Sequence, residues 1–249
     1  MRILIHGSTG RMGKILCDLL TAGYPGLTLA ARVSPEETLD AANNVFTSLA
    51  EVNCEVDGVI DFSHHTAVGG LMDFCIAKNL PVVVATTGHT PEEKAVIADA
   101  AKKIPVFFSA NMSIGVALLA ELAKKAASVF PTANIEIVEK HHNQKLDVPS
   151  GTALLLAHRM QEVLTDSTLL VGRHENGKRT AKEISIHSLR LGNEVGTHEI
   201  IIATGAETIT LKHEAENRSL FANGALAAAA FLEGKPAGLY SMQDIILIT

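Results

Sequence analysis

The chain has 249 residues, enough for one large domain or two modest ones, with the 47% hydrophobic and 19% charged content of an ordinary globular protein. A formal net charge of −6 without a Lys/Arg run argues against a nucleic-acid partner. The sequence has no window of about 18 apolar residues, so we expect no membrane partner. It has no signal-peptide core, and its cysteine count of three is odd, so we expect a cytoplasmic protein with reduced thiols.

The first half of the chain alternates apolar strand-like runs with amphipathic helical stretches. The strand-like runs are "RILIHG", "LTLAARV", "VDGVIDFS", "PVVVATTG" and "PVFFSA", and the helical stretches include "MGKILCDLLTAG", "AVGGLMDFCIAKN" and "PEEKAVIADAAKK". This alternation predicts an α/β fold, a Rossmann-like doubly wound parallel sheet with helices on both faces. Cys17 and Cys75 fall in the helical patterns and are predicted to lie in the core.

A glycine loop directly follows the first predicted strand. Gly7, Gly10 and Gly13 form G-x-x-G-x-x-G at the start of a helix, where backbone N–H groups can approach a pyrophosphate. Arg11 adds a cation within reach of a phosphate, although a solvated surface arginine is the alternative. In this strand–turn–helix context, the loop predicts dinucleotide binding.

The end of the second predicted strand bears on the choice between NADH and NADPH. An acidic residue there usually bonds the ribose hydroxyls of NAD. This strand ends in "LAARVSPEE", with Arg32 and Ser34 where an acid is sought, and Glu36 and Glu37 slightly later. Since arginine bonds phosphate oxygens in pairs, we expect NADPH to be used at least as well as NADH.

The second half has a different pattern, and a domain boundary is predicted near Asn111. "NIEIVEK", "EISIHSLRL", "HEIIIATG" and "ETITLKHEA" are strand-like, several with the alternating polarity of a sheet that has one wetter face. "SIGVALLAELAKKAASVF", "TALLLAHRMQEVL" and "RSLFANGALAAAAFLEG" are helical. This half is therefore predicted to be an α+β domain.

The stretch "EKHHNQKLDVPSGTA", residues 139–153, concentrates cations and proton donors before a helix start. Ser150 fits an N-cap, and Gly151 and Thr152 offer first-turn N–H groups that can bind a carboxylate or phosphate. Lys145 and one of the two histidines can add charge-assisted hydrogen bonds, and histidine titrates near neutral pH. Together with the glycine loop, this pattern indicates hydride transfer to a small carboxylated substrate.

Several other interpretations compete with this one. A solvated polar loop would explain the residue types alone, and a dinucleotide-sensing protein would not need a proton donor. A metal site is disfavoured, because neighbouring histidines in an extended segment point in opposite directions. A short-chain dehydrogenase needs Tyr-x-x-x-Lys, which neither Tyr24 nor Tyr240 provides. The predicted nucleotide-binding half alone does not exclude an amino-acid dehydrogenase.

The same stretch resembles the signature E-[A/K]-H-H-x-x-K-x-D-x-P-S-G-T-A of the dihydrodipicolinate reductase (4-hydroxy-tetrahydrodipicolinate reductase) family. The resemblance covers essentially the whole chain, since "GSTGRMG", "DFS", "VVATTG", "FFSANMSIGV", "HSLRLGNEVGTHE" and "FANGA" occur in the family's order. It implies an enzyme of lysine and diaminopimelate biosynthesis that reduces a cyclic imine dicarboxylate with NADPH or NADH, with loss of water. It also implies a homotetramer.

The resemblance implies residue roles by motif. His141 matches the residue that donates and accepts the proton, and Lys145 matches a second proton donor. His142, Gly151 and Thr152 match the ligands of the substrate carboxylate. The implied cofactor-contacting residues are Gly7, Ser8, Thr9, Gly10, Arg11, Met12, Ser34, Ala85, Thr86, Thr87, Ser109, Ala110, Asn111 and Met112. No residue matches a metal ligand.

The resemblance also implies the domain boundaries. Residues 1–111 and 221–249 correspond to the dinucleotide-binding domain, and residues 112–220 to the substrate-binding and tetramerisation domain. The chain departs from the family at two places: Ser34 stands where a glutamate is frequent, and His65 where many members have proline. The first departure puts ribose recognition in question, and the second alters the loop after "DFS".

Overall fold

The structure is a computed structural model that describes residues 1–247. The chain forms two compact units, one comprising Met1–Ser113 and the segment from Ser219 onward, the other Ile114–Arg218. Ile248 and Thr249, the last residues of the predicted nucleotide domain, lie outside the described residues. Within residues 1–247, every helix is too short or too polar to cross a bilayer.

The first unit contains a seven-stranded sheet in which every pairing is parallel. Its strands are β1 (Arg2–His6), β2 (Thr28–Val33), β3 (Val45–Phe46), β4 (Gly58–Asp61), β5 (Val82–Val84), β6 (Pro105–Phe108) and β12 (Gly238–Tyr240), in the spatial order β12-β6-β5-β4-β1-β2-β3. Its helices are α1 (Arg11–Ala22), α2 (Val68–Lys78), α3 (Pro91–Ala101), α6 (Ser219–Phe231) and α7 (Met242–Ile246). Short 3-10 helices span Ala41–Asn43, Leu49–Glu51 and His65–Ala67.

The predicted parallel sheet is thus confirmed, and its strands are apolar because both faces are covered. Leu4, Val59 and Val82 are at most 1% exposed and belong to one apolar cluster with residues of α2 and α3. The predicted burial of Cys17 and Cys75 is also confirmed. The strands β3 and β12 were not predicted, because runs of two or three residues carry no periodicity of their own.

The second unit contains a mixed five-stranded sheet. Its strands are β7 (Asn134–His141), β8 (Thr168–Val171), β9 (Glu183–Arg190), β10 (Gly196–Ala203) and β11 (Thr208–Ala215), in the order β11-β10-β7-β9-β8, and its helices are α4 (Ile114–Val129) and α5 (Gly151–Gln161). The central strand β7 runs antiparallel to β10 and parallel to β9. The predicted α+β character is confirmed, while β8 was not predicted.

The buried face of β7 is apolar in its first half and polar at its end. Ile135 and Ile137 are buried against α4 and α5 in a second apolar cluster. Glu139 and His141 follow at the same period of two, so they lie on this face of the sheet and are buried as well. The strand therefore changes from apolar to ionisable side chains without changing the face that it buries.

Candidate active site

The glycine loop between β1 and α1 has a backbone that only glycine allows. Gly7 has φ +84°, and a Cβ there would lie 2.6 Å from the carbonyl oxygen of Phe62. A Cβ on Gly13 would lie 2.1 Å from the carbonyl oxygen of Gly7. The N-cap residue of α1 is Gly10, which has no side chain to bond the first-turn N–H groups. The loop therefore fits a bound pyrophosphate, as in dinucleotide-binding folds.

The other predicted cofactor-contacting residues lie at the same edge of the sheet. Because β1, β4, β5 and β6 are neighbouring parallel strands, the segments that follow them come out at one edge. These segments carry Ser8, Thr9, Arg11 and Met12 after β1, Ala85, Thr86 and Thr87 after β5, and Ser109, Ala110, Asn111 and Met112 after β6. The structure thus brings together residues that are far apart in the sequence.

Asp61, at the end of β4, joins this edge and was missed in the sequence. Its buried carboxylate lies 2.8 Å from His6 Nδ1 and accepts hydrogen bonds from Thr86 Oγ1 at 2.6 Å and Ser63 Oγ at 2.6 Å. These contacts fix the ends of β1 and β4 and the loop after β5 relative to one another. The only sequence signal was an aspartate at the end of a predicted strand.

The glutamates after β2 contact the glycine loop. Thr9 Oγ1 donates to Glu36 Oε2 at 2.9 Å, and Ser34 Oγ also donates to Glu36. Ser8 Oγ donates to Glu37 Oε1 at 2.8 Å. The hydrogen bonds from Ser34 and Thr9 lower the pKa of Glu36, which keeps this carboxylate ionised. Glu36 thus supplies, beside Ser34 and the glycine loop, the negative charge that the sequence lacks at position 34.

In the second unit, Glu139 is the centre of a buried hydrogen-bond cluster. Its carboxylate is 0% exposed and bonds to Nδ1 of His141. The guanidinium of Arg190 donates to both carboxylate oxygens, at 3.1 and 2.9 Å, and the backbone N–H of Ser150 donates at 3.3 Å. The cluster therefore joins β7, β9 and the start of α5.

Glu139 is ionised despite its burial. Burial raises the pKa of a carboxyl group, but the hydrogen bonds from His141 and Arg190 outweigh this effect and lower the pKa of Glu139 to about 2. A buried anion with a guanidinium and an imidazole as partners can stabilise a proton on the imidazole. This arrangement suits His141 to proton transfer.

His198 lies beside His141 on the neighbouring strand β10. The two ring centroids are 5.2 Å apart with the planes at 73°, and His198 Nε2 is 3.1 Å from Ser150 Oγ. Burial, together with the nearby His141, lowers the pKa of His198 to about 3. The ring is therefore neutral at physiological pH and adds no positive charge next to His141.

The neutral state of His198 predicts an acid-sensitive fold. Between pH 6.5 and 3 this histidine is protonated in the unfolded chain but not in the folded one, so stability falls as pH falls, by up to about 1.4 kcal/mol per pH unit. We expect urea unfolding of the wild type to lose about 1–2 kcal/mol more between pH 7 and 5 than unfolding of His198→Gln. The exposed His174→Gln serves as the control, and equal losses in all three proteins would contradict the assignment.

The helix start at Ser150 forms as predicted. Ser150 is the N-cap of α5, and its Oγ accepts a hydrogen bond from the backbone N–H of Ala153 at 3.2 Å. Gly151 is exposed, with no atom within 4 Å of the position that a Cβ would take, and Thr152 is half-buried. The first turn therefore presents accessible backbone to an anionic group.

The loop between β7 and α5 carries the remaining predicted site residues. The ammonium group of Lys145 lies 2.8 Å from the Asp147 carboxylate, and its side chain is 22% exposed. The backbone N–H of Lys145 donates to the carbonyl of His142, a half-buried residue that follows the end of β7. The structure thus places Lys145 and His142 in one turn next to His141.

The buried cluster around Glu139 contains side chains of the kinds that bind metal ions, but its carboxylate already has other partners. One ligand atom from each of Glu139, His141 and His198 lies within 4.8 Å of the others. Both oxygens of Glu139, however, already accept hydrogen bonds, two of them from the cationic Arg190. We therefore interpret this grouping as a hydrogen-bond cluster.

Comparison with known proteins gives one consistent result. Two family models match the chain, "Dihydrodipicolinate reductase, N-terminus" over residues 1–112 and "Dihydrodipicolinate reductase, C-terminus" over residues 115–246. The 4-hydroxy-tetrahydrodipicolinate reductase of Caldanaerobacter subterraneus subsp. tengcongensis is 44% identical, with 99% of this chain and 98% of the relative covered. That of Clostridium tetani is 41% identical, with 99% and 97% covered.

A solved structure agrees with the sequence relatives. The dipicolinate-bound dihydrodipicolinate reductase from Paenisporosarcina sp. TG-14 superposes with a TM-score of 0.83 at 28% identity, covering 98% of this chain and 99% of that one. Both halves of the chain thus match the same family, over nearly the full length of its members. The chain belongs to the dihydrodipicolinate reductase family.

Proposed function

We propose that the chain catalyses the reduction of 4-hydroxy-tetrahydrodipicolinate, a cyclic imine dicarboxylate, to tetrahydrodipicolinate with loss of water, in lysine and diaminopimelate biosynthesis. The family assignment supports this reaction. The structural observation that carries it is the buried, ionised Glu139 bonded to His141 beside the open first turn of α5. This pairing puts a proton-transfer group next to an anion-binding turn.

Each compact unit has one proposed task. The predicted dinucleotide-binding domain, residues 1–111 and 221–249, contains the glycine loop, which fits the pyrophosphate of NADH or NADPH. When bound, the reduced cofactor supplies a hydride to the substrate ring. The predicted substrate-binding domain, residues 112–220, contains the proton-transfer cluster and the start of α5. The two proposed tasks thus use separate parts of the chain.

The substrate carboxylates are proposed to bind at the start of α5. The backbone N–H groups of Gly151 and Thr152 favour an anion, because the N-terminus of a helix carries a partial positive charge. Lys145 and His142 add charged or polar hydrogen bonds from the adjacent loop. These contacts orient the ring and stabilise negative charge that develops on it.

Proton delivery to the ring is assigned to His141, with Lys145 as the second donor. Nδ1 of His141 is held by Glu139, so Nε2 is the ring atom that can give up a proton. The ammonium of Lys145 is free to supply a proton or a charge once the substrate replaces its contact with Asp147.

The direct test is an assay with freshly made cyclic imine substrate, following the absorbance of NADH and NADPH separately. Substrate-dependent oxidation of either cofactor supports the proposal. A dinucleotide-sensing protein would bind NADH or NADPH without this turnover, and that outcome would overturn the proposed reaction.

Cofactor choice is proposed to depend on Glu36. A carboxylate near the glycine loop bonds the ribose hydroxyls of NADH and repels the 2′-phosphate of NADPH. Since Glu36 is held there by Thr9 and Ser34, we expect a preference for NADH, in contrast to the expectation based on Arg32. Glu36→Gln should shift the ratio of kcat/KM values toward NADPH by about tenfold, which corresponds to about 1.4 kcal/mol.

The control for this change is Glu55→Gln, an exposed glutamate that pairs with Arg2. Cofactor binding should be measured as well, by titrating cofactor fluorescence, so that the result does not depend on turnover. A wild type that prefers NADPH, or a ratio of Kd values that Glu36→Gln leaves unchanged, would contradict the role of Glu36.

A homotetramer in the cytoplasm is also proposed. Helices α4 and α5 pack on the face of the second sheet that carries Ile137, while the opposite face carries the half-buried Val138 and Ile201. A sheet face with apolar side chains favours packing against another copy. The free thiols of all three cysteines agree with a reducing compartment. Light scattering of the purified protein tests the tetramer.

A further inference from the structure

Glu139 is a buried carboxylate that several elements of the second unit hold in place. It is fully buried, and it receives hydrogen bonds from three different elements: His141 on its own strand, Arg190 on β9 and the backbone of Ser150 at α5. Burying a carboxylate is costly unless hydrogen bonds and a cation offset the loss of water. A core position occupied at such cost points to a role that an apolar residue could not fill.

The Nε2 edge of the His141 ring, on the other side from the Glu139 contact, lies against Gly196. A Cβ added to Gly196, on β10, would lie 3.0 Å from His141 Nε2 and 3.3 Å from its Cδ2. A side chain at position 196 would therefore crowd Nε2, while Glu139 engages Nδ1. Because Glu139 holds Nδ1, Nε2 is the ring nitrogen left for proton transfer.

The charged and titratable groups around His141 lie on β7, β9, β10, β11 and the loop before α5. Glu139 contributes the one anion in direct contact among the described residues, and Arg190 balances it. His198 is neutral and adds no charge, as its pKa of about 3 requires. Further titratable or charged groups that act on members of this cluster are His213, Lys145 and Asp147.

We propose that Glu139 is a positioning residue that holds His141 as the Nδ1–H tautomer, directs Nε2 toward the substrate and stabilises the imidazolium form. The proposal rests on the proposed function of His141 in proton transfer. A carboxylate that accepts from Nδ1–H sets which nitrogen is free, and its charge favours the protonated ring. Arg190 in turn keeps the carboxylate in place and ionised.

The test variant is Glu139→Gln, which keeps the size of the side chain and removes its charge. We expect kcat to fall by about 10- to 100-fold with KM changed little, because the proton donor is weakened while the carboxylate-binding turn stays in place. The alkaline limb of the kcat profile should move to lower pH, because the negative charge bonded to Nδ1 of His141 is removed. Glu139→Asp keeps the charge and should restore the position of the limb.

The chain offers a matched control on the opposite face of the same strand. Glu136 also pairs with a histidine and an arginine, since its carboxylate lies 2.8 Å from His187 Nε2 and contacts Arg179. Glu136→Gln therefore removes an equivalent contact from β7 and should leave the pH profile in place. A limb that moves equally in both variants, or in neither, would overturn the proposal.

A second readout separates this proposal from the proposed function. Nitrogen NMR of the imidazole reports the tautomer of His141 without any turnover. The wild type should show Nδ1–H, and Glu139→Gln should show a mixture. If the wild type holds Nδ1–H but reduces no substrate, the proposed function fails and the positioning role stands. If the substrate is reduced but the variant keeps the wild-type tautomer, the positioning role fails.

Discussion

His141→Gln is expected to lower kcat by about 10²- to 10⁴-fold, the usual contribution of a positioned general acid–base group. Glutamine keeps a polar side chain at the end of β7 and can still contact Glu139, so the fold should persist. It cannot transfer a proton from the position that Nε2 occupies. The loss should therefore lie in kcat, with a smaller change in KM.

The measurement is steady-state kinetics with the cyclic imine substrate, with circular dichroism to confirm folding. His187→Gln provides the matched control, because His187 also lies in the second sheet and also pairs with a glutamate, Glu136. That variant should retain most of the activity. A folded His141→Gln protein with wild-type kcat would remove His141 from the mechanism.

Thr152→Val is the change with the next largest expected effect. We expect KM to rise by about 10- to 100-fold, or about 1.4–2.7 kcal/mol, if the Thr152 hydroxyl donates a hydrogen bond to a charged substrate carboxylate in addition to the backbone N–H, which valine keeps. Valine has nearly the same shape, and the N-cap contact of Ser150 with Ala153 does not involve the changed side chain. The change therefore leaves the N-cap contact of α5 in place.

The readout is KM together with inhibition by dipicolinate, the ligand of the Paenisporosarcina relative. Dipicolinate should compete with the substrate, and its inhibition constant should rise in parallel with KM. Thr208→Val, at an exposed strand position where valine is well tolerated, serves as the control. Non-competitive inhibition combined with an unchanged KM would place the substrate carboxylates elsewhere.

The sequence by itself determined the class of the fold and the identity of the family. Long apolar strands and helical periodicity act locally, so the parallel sheet of the first unit and the alternating strands of the second could be predicted. Gly7 and Gly13 could be read from the sequence because their conformation and close contacts exclude side chains. The stretch from residue 139 to 153 is contiguous, and its Ser150 cap forms as predicted.

Only the tertiary structure decided which side chains complete each part of the candidate site. Arg190 reaches Glu139 across 51 residues because β9 pairs with β7, and Glu36 meets Thr9 across 27 residues because β2 lies next to β1. Strand register depends on pairing with other segments, and no local pattern around Arg190 or Glu36 specifies it. The fold therefore decides that Glu139 is paired with Arg190 and that Glu36 lies at the glycine loop. Burial and charge balance arise only when distant strands come together.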